Sequence, residues 1–265
     1  MRLSRLAFLT CAVLVWTTTV FGQAASGSDP QAIALLQRSI GALTGGLPVT
    51  DVTMTGALVV TNSAANPGSG ATGQPTTQSS TVTLVATASG QSQNTAVTPS
   101  GTQTTVQDIS GTVPTLTVTG TDGVSHTIQT ASALTPHPAW FYPAFVLASG
   151  LSSSYAASYV GHETRNGIAV EHIAIWRTNG STTAVSPVLQ LASQHDIYLD
   201  SASLLPVAMT FIAHPYDPSN PNKPFIPYRG NTPDRLAEIQ FSNYQQVQGR
   251  PVALHMFVFS TSESC

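Results

Sequence analysis

The segment HDIYLDSASLLPVAMTF, residues 195–211, joins two apolar stretches through a short run of small residues. Successive side chains of a β-strand point to opposite faces, so His195 would share a face with Ile197, and Asp196 would point away from both. Asp200 precedes the small residues, where an aspartate side chain commonly caps the amides of a turn. The segment therefore predicts a β-hairpin, and its histidine and aspartates do not form one ligand set.

The other strands are predicted by alternating apolar positions in stretches rich in Val and Thr. These stretches run from residue 49 to residue 130 and resume after residue 152. Turns are expected at Asp122–Gly123, at Arg165–Gly167 and at Gln248–Arg250, each between two such stretches. Strands that are joined in sequence by short turns predict an antiparallel meander.

A helix is predicted near the N-terminus of the mature chain. Asp29 is placed to cap it, Pro30 suits its first turn, and Gly45 follows its last apolar residue. A second, short helix is expected over Ala144–Ser149. The predicted fold class is thus mainly β with a minor α component: one domain with a curved antiparallel sheet, an N-terminal helix and short helices on one face.

Charged side chains are scarce in this chain. Asp, Glu, Lys and Arg make up 8% of the 265 residues, and the formal net charge is −3. Lys223 is the one lysine, and no basic side chain occurs between Arg38 and Arg165. Such a chain cannot neutralise a run of phosphates, which argues against nucleic-acid binding and against electrostatic attachment to an anionic membrane.

The first 24 residues have the pattern of an export signal. Arg2 and Arg5 precede the apolar run LAFLTCAVLVW, which is too short to span a bilayer. Small residues follow, and cleavage is expected after Gly22 or Ala24. Residues 25–265 would then be an exported domain, periplasmic or secreted, without a transmembrane segment in the mature chain.

The sequence contains no motif that specifies catalysis, a metal or a cofactor. Gly68, Gly70 and Gly73 have the spacing of a dinucleotide-binding loop, but a strand follows them where such a site needs a helix. GHETRNG, residues 161–167, lacks the second histidine of a zinc-protease helix. We therefore expect no bound metal and no cofactor.

An aromatic cluster interrupts the strands between residues 134 and 152. Its large side chains either close the core of a curved sheet or line the mouth of an apolar ligand cavity, and both interpretations are open. The candidate cavity residues are Trp140, Phe141, Tyr142, Phe145, Trp176 and Phe211.

Two segments carry a resemblance to a known family. SYVGHETRNGIAVEHIAIWRTN (residues 158–179) and the hairpin at 195–211 resemble hairpins of the outer-membrane lipoprotein carrier superfamily, the LolA/LolB/RseB-like half-barrels. The sharpest element is Y-L-D-x-x-x-x-L-P at Tyr198–Pro206, and the helix at 29–46 also looks like the one that opens that fold. The resemblance implies an unclosed antiparallel β-barrel around an apolar cavity, with short lid helices.

These features predict an exported, non-enzymatic binding protein that holds an apolar ligand, a lipid or a lipoprotein acyl chain, in a half-barrel cavity. In the alternative, the core is filled and the chain is a structural or protein-interaction domain of the envelope. A third hypothesis is a hydrolase that uses His195, Asp196 or Asp200. Two loops are expected, a flexible one at 62–80 and a proline-rich one at 215–234.

Overall fold

The computed structural model describes residues 27–62, 76–108, 115–129, 141–178, 190, 193–213 and 235–261. The predicted export signal, Trp140 and the proline-rich loop 215–234 lie outside the described residues. The G-x-G-x-x-G spacing at 68–73 and most of the predicted loop 62–80 also lie outside them.

Twelve strands form two antiparallel sheets in the described part of the chain, and within each sheet every strand pairs with its neighbours in sequence. The first sheet contains β1 (Asp51–Asn62), β2 (Thr76–Thr87), β3 (Gln91–Thr98), β4 (Gly101–Asp108), β5 (Thr115–Thr119) and β6 (Ser125–Gln129). The second contains β7 (Tyr155–Arg165), β8 (Ile168–Arg177), β9 (His195–Asp200), β10 (Pro206–Ala213), β11 (Arg235–Val247) and β12 (Arg250–Thr261). Within the described residues the sheets do not close into a barrel, and the predicted class, mainly β and antiparallel, is confirmed.

The predicted turns connect the strands as expected. Between β7 and β8, Asn166 and Gly167 both have positive φ (50° and 80°), as the tight turn of a two-residue hairpin requires. Gln248 and Gly249 have the same conformation (φ 52° and 76°) between β11 and β12. The Asp122–Gly123 turn also forms, although it is longer than two residues because β5 ends at Thr119.

The strand β3 (Gln91–Thr98) was not predicted. Its sequence QSQNTAVT is mostly polar, and polar residues of this kind favour turns when read alone. The structure nevertheless pairs it with β2 on one side and β4 on the other. Strand β2 also begins earlier than expected, at Thr76, inside the segment 62–80 that was predicted as a loop.

The helix α1 (Pro30–Thr44) forms with the predicted ends. Asp29 Oδ1 accepts a hydrogen bond from the Gln31 backbone N–H at 2.8 Å, which satisfies one of the free donors of the first turn. Gly45 ends the helix in the left-handed conformation (φ 64°) that favours glycine.

The N-terminus of α1 is fastened to β7, the outermost strand of the second sheet. The Asp29 N–H donates to the Ala157 carbonyl at 2.8 Å, and Asp29 Oδ2 accepts from the Tyr159 N–H at 3.2 Å. Ser28 Oγ accepts from the Ala157 N–H at 3.2 Å. Because an outermost strand has backbone groups without a partner strand, these bonds satisfy groups of β7 that the sheet itself does not.

The main core lies between the helices and one face of the second sheet, which we call its inner face. The short helix α2 (Pro143–Ser149), predicted over Ala144–Ser149, packs beside α1 there. A Cβ atom on Gly150 would lie 2.9 Å from Leu36 Cδ1 and 3.0 Å from Ile175 Cγ2, so a side chain at the end of α2 would require these neighbours to shift. The largest fully buried apolar side chains of this core include Leu36, Leu43, Leu147, Ile173, Ile175, Ile197, Leu199, Met209 and Ile239.

Candidate functional site

Strand β9 separates the histidine of the HDIYLD segment from its aspartates, as predicted. His195, Ile197 and Leu199 are buried on the inner face of the second sheet. Asp196 and Asp200 therefore lie on the opposite side, the outer face. Adjacent residues in this segment consequently do not form a joint site.

His195 is a core residue. Its Nδ1 lies 3.0 Å from the Ser193 carbonyl oxygen, and its ring centroid lies 5.9 Å from that of Phe211. Burial lowers the pKa of His195 to about 4, because the charged imidazolium loses its hydration there. A neutral, fully buried imidazole is not placed to act as a general base on a substrate that arrives from solvent.

Asp200 caps the turn after β9, which confirms the prediction. Its Oδ1 accepts hydrogen bonds from the backbone N–H groups of Ala202 (3.2 Å) and Ser203 (2.6 Å) and from Ser203 Oγ (2.7 Å). The hydrogen bonds from Ser203 lower the pKa of the Asp200 carboxyl. Its function in the structure is thus to hold the turn.

The outer face of the second sheet carries a polar network, the outer-face network. It consists of Arg165, His172, Asp196, Tyr198 and Glu238, which come from four strands. His172 Nε2 lies 3.1 Å from Asp196 Oδ1, and the rings of His172 and Tyr198 stack with centroids 4.4 Å apart. The Arg165 guanidinium lies over the Tyr198 ring and pairs with Glu238. Each charged group therefore has a partner.

A second polar cluster, the Glu171 cluster, lies at one end of β7 and β8 and contains Tyr159, His162, Glu171 and Ser201. Glu171 accepts hydrogen bonds from Tyr159 Oη (2.7 Å) and Ser201 Oγ (3.1 Å), and its other contact is His162 Nδ1 at 3.0 Å. The hydrogen bond from Tyr159 lowers the pKa of Glu171. Ser201 Oγ lies 3.3 Å from His162 Nδ1, the same ring nitrogen that Glu171 contacts. A Ser–His–acid relay needs the serine and the carboxylate on different ring nitrogens, so this cluster does not have the geometry of one.

Neither cluster has the composition of a metal site. Among the described residues, no group of three or more His, Cys, Asp or Glu side chains could hold a metal ion. Glu171 and His172 point to opposite faces of β8, as predicted for adjacent strand residues, and take part in different clusters.

The described members of the aromatic cluster take different positions. Tyr142 is buried in the main core, and its ring meets that of Phe145 edge-to-face with centroids 5.4 Å apart. Phe141 and Phe145 are only partly buried, and they pack against the main core and also against Leu84 and Ala86 of the first sheet. We call Phe141 and Phe145 the aromatic bridge, because they pack both against the main core and against the small apolar cluster of the first sheet.

The other two predicted cavity residues do not join this bridge. Phe211 is buried in the main core beside His195. Trp176 follows Ile175 on β8, and since Ile175 faces the core, Trp176 points to the outer face. The Trp176 side chain therefore points away from the inner face, and its direction does not support the prediction that it lines a cavity there.

The face of the first sheet that meets the aromatic bridge, its inner face, is assembled by strand register. Residues directly opposite each other in antiparallel strands project on the same side. Two rows of side chains thus cross this face: Val52, Ala86, Ser92, Gln107 and Leu116 in one, and Met54, Leu84, Asn94, Thr105 and Val118 in the other. Each row is apolar on β1 and β2, polar on β3 and β4, and apolar again on β5.

The polar part of these rows was missed at the level of sequence. Gln107 is 0% exposed, although it lies in a stretch, TQTTVQD, that reads as a surface strand. Strand alternation predicts that Gln107 and Thr105 project from the same face of β4. Which face that is, and that Gln107 is buried there, follows only from the register of β4 with β3, and β3 itself was not predicted.

Comparison with known proteins gives the class of fold. A LolA superfamily protein from Nitrosomonas europaea superimposes with a TM-score of 0.50 at 10% sequence identity, covering 88% of this chain and 87% of that chain. A proposed outer-membrane lipoprotein-sorting protein domain from Vibrio parahaemolyticus gives a TM-score of 0.49 at 12% identity (87% and 85% covered). A DUF1329 family protein from Desulfovibrio piger gives 0.48 at 13% identity (87% and 85% covered).

The fold is therefore LolA-like, as the hairpins at 158–179 and 195–211 predicted. No family model and no curated protein matches the sequence. Among the described residues, neither helix has the length and apolar character needed to cross a membrane.

Proposed function

We propose that this chain is an exported, non-enzymatic binding protein that holds an apolar ligand, a lipid or an acyl chain, on the surface between its two sheets. The observation that carries this proposal is the aromatic bridge. Phe141 and Phe145 pack against the main core and against Leu84 and Ala86 of the first sheet, yet both residues remain partly exposed. They offer an apolar surface that a ligand can cover, at about 25 cal/mol per Å² of buried area.

The distribution of buried apolar side chains supports the same proposal. The main core uses the helices and the second sheet, whereas Leu84 and Ala86 are the buried members of a separate small cluster on the first sheet. Small-ligand sites are lined mainly by apolar and aromatic side chains, and the aromatic bridge with Leu84 and Ala86 supplies such side chains. The Nitrosomonas europaea protein with the same fold belongs to the LolA superfamily, which agrees with a binding function.

The polar clusters support a non-enzymatic function. His195 is neutral and buried, Asp200 caps a turn, and Asp196 is paired with His172. A hydrolase based on these three residues would need at least one of them free to meet a substrate. Alanine variants of the three residues, assayed on ester and phosphate substrates, test this point, and loss of a reproducible wild-type activity would contradict it.

The proposal is tested by titrating the purified protein with an uncharged fluorescent apolar probe and by mass spectrometry of lipids that copurify with it. Phe145→Ala should weaken probe binding about tenfold, because it removes one aromatic contact surface. Phe257→Ala is the matched control, since Phe257 is 57% exposed on β12 and removal of the same ring there should leave binding unchanged.

Thermal unfolding of both variants separates lost binding from lost folding. If Phe145→Ala remains folded at the assay temperature and binds the probe like the wild type, the surface between the sheets is not the binding site. If the wild-type protein binds no probe and copurifies with no lipid, the binding function itself is excluded. The exported state is tested separately by the intact mass of the protein recovered from its host, which should lack residues 1–22 or 1–24.

A further inference from the structure

The Gln107 side chain is completely buried without a hydrogen-bond partner. It is 0% exposed, and among the described residues neither Oε1 nor Nε2 has a hydrogen-bond partner. The Oδ1 atom of Asn94 is also buried and unpaired. Buried polar groups in proteins are nearly always satisfied, and each exception needs an explanation. Three such atoms lie on neighbouring strands of one sheet face, on Asn94 of β3 and Gln107 of β4.

The position of Gln107 relates it to the proposed ligand surface. It lies opposite Ser92 on β3 and opposite Leu116 on β5, in the row that also contains Ala86. Ala86 packs against the aromatic bridge, and Gln107 is two strand spacings away from it, about 10 Å. Asn94 is the diagonal neighbour of Gln107 on the same face, since Ser92 pairs with Gln107 and Asn94 with Thr105.

Few charged side chains lie on the described strands of the first sheet. The described strands of the first sheet contain two acidic residues, Asp51 and Asp108, and no Lys or Arg. Asp108 follows Gln107 and so projects from the other face, where it accepts a hydrogen bond from Gln91 Nε2 at 3.2 Å. Asp51 is exposed and precedes Val52, the inner-face residue of β1. An anionic group next to Gln107 would therefore find no Lys or Arg on the described strands of the first sheet, and His126, on the same face of β6, is exposed.

We infer that the Gln107 amide binds an uncharged polar group of the ligand that both donates and accepts hydrogen bonds, such as a hydroxyl or an amide, while the apolar chain extends towards Phe145. This inference rests on the proposed binding function and specifies its ligand class. A primary amide presents one acceptor and two donors, and Asn94 Oδ1 adds an acceptor. A hydroxyl or amide can satisfy both kinds of atom, whereas a carboxylate only accepts and would leave Gln107 Oε1 and Asn94 Oδ1 without a donor.

The test compares ligands that share one chain and differ in the polar group. Displacement of the uncharged probe is measured with 1-oleoylglycerol, oleamide and oleate, at a pH at which oleate is ionised. The wild-type protein should bind the two neutral ligands at least about tenfold more tightly than oleate, a ratio that corresponds to a single satisfied hydrogen-bond pair. Equal affinities, or a preference for oleate, would overturn the inference.

The variant Gln107→Met keeps the side-chain volume and removes both polar atoms. It should lose the preference for 1-oleoylglycerol and oleamide over oleate. Gln93→Leu is the control, because Gln93 is an exposed residue on β3 whose Nε2 donates to Thr95 on the outer side. A preference that survives in Gln107→Met would overturn the inference, and so would a Gln107→Met protein that loses thermal stability with unchanged ligand preference.

The outcomes separate this inference from the proposed function. Probe binding without selectivity among the three ligands contradicts the assignment of Gln107 and leaves the binding function in place. The absence of any probe binding contradicts both. If Gln107→Met does not fold, the ligand series on the wild-type protein decides the question by itself.

Discussion

The guanidinium carbon of Arg165 lies 4.0 Å from the centroid of the Tyr198 ring, and the same guanidinium is paired with the carboxylate of Glu238. These residues come from β7, β9 and β11, so the contact ties together strands that are not neighbours in the sheet. The Arg165 and Glu238 side chains are 25% and 13% exposed. An ion pair so far removed from water differs from the exposed pairs that contribute little to stability.

The first prediction concerns this pair. Arg165→Met and Glu238→Gln should each lower the free energy of unfolding by about 2 kcal/mol, because each leaves its partner partly buried without compensation. The double variant should lose less than the sum, with a coupling of about 1 kcal/mol. Urea denaturation of the four proteins measures this cycle. Arg38→Met is the control: Arg38 is exposed on α1, so this variant should change stability little. If the losses of the two single variants are strictly additive in the double variant, the interaction between Arg165 and Glu238 contributes nothing.

The second prediction concerns the turn after β9. Asp200→Ala should lower the free energy of unfolding by about 1–2 kcal/mol, because the N–H groups of Ala202 and Ser203 lose their acceptor. The pKa of Asp200 is lowered in the folded state from its ordinary value of 3.8. Its charge therefore stabilises the fold above pH 3.8, and this contribution is lost as the pH falls through the lower folded-state pKa.

The variant Asp200→Asn tests the sign of this effect. An asparagine can still accept hydrogen bonds at the turn, but it does not titrate. Its stability deficit relative to the wild type should therefore be largest near neutral pH and should shrink as the wild-type carboxylate is protonated. A deficit that is constant from neutral pH down to the acid limit of folding would contradict the assigned pKa shift.

The local features of this fold are readable from the sequence because each depends on residues close in the chain. Asp29, Pro30 and Gly45 define both ends of α1, and Asn166–Gly167 defines a turn. The split between His195 and Asp196 follows from strand alternation alone. The burial of these elements, by contrast, depends on what packs against them, which no short segment specifies.

The non-local features could not be predicted for the same reason. His172 and Asp196 meet because β8 pairs with β9 in a register that places His172 opposite Tyr198. Gln107 joins the inner-face row through the register of β4 with β3 and β5, and the polar sequence of β3 does not indicate a strand. Trp176 was assigned to the cavity by residue type, although its direction is decided by the alternation that begins at Ile175.

The third prediction concerns His195, whose pKa is lowered to about 4 from 6.5 by burial. Between these two values the unfolded chain binds a proton that the native protein does not, so the stability falls as the pH decreases from 6.5 towards 4. The slope from this residue is up to about 1.4 kcal/mol per pH unit.

His195→Asn keeps a donor for the Ser193 carbonyl without titrating, and its stability should depend less on pH in this window. Equal slopes for the two proteins, measured by urea denaturation, would show that His195 is protonated alike in both states.

The last prediction compares two glycines that the structure treats differently. A Cβ atom at Gly150 would meet Leu36 Cδ1 at 2.9 Å and Ile175 Cγ2 at 3.0 Å, whereas one at Gly41, inside α1, would meet nothing within 4 Å. Gly150→Ala should therefore lower the free energy of unfolding by about 1–3 kcal/mol through overpacking. Gly41→Ala should raise it by up to about 1 kcal/mol, because alanine favours the helix.

The two glycine variants control for each other, since the same methyl group is added in both. Neither position requires a left-handed backbone: no positive φ is found at Gly41, and Gly150 is helical (φ −63°). The difference between them thus reports the packing at Gly150 together with the helix propensity gained at Gly41. If Gly150→Ala is as stable as the wild type, α2 can move away from α1 without loss, and the contact between the helices and the second sheet is looser than the distances at Gly150 indicate.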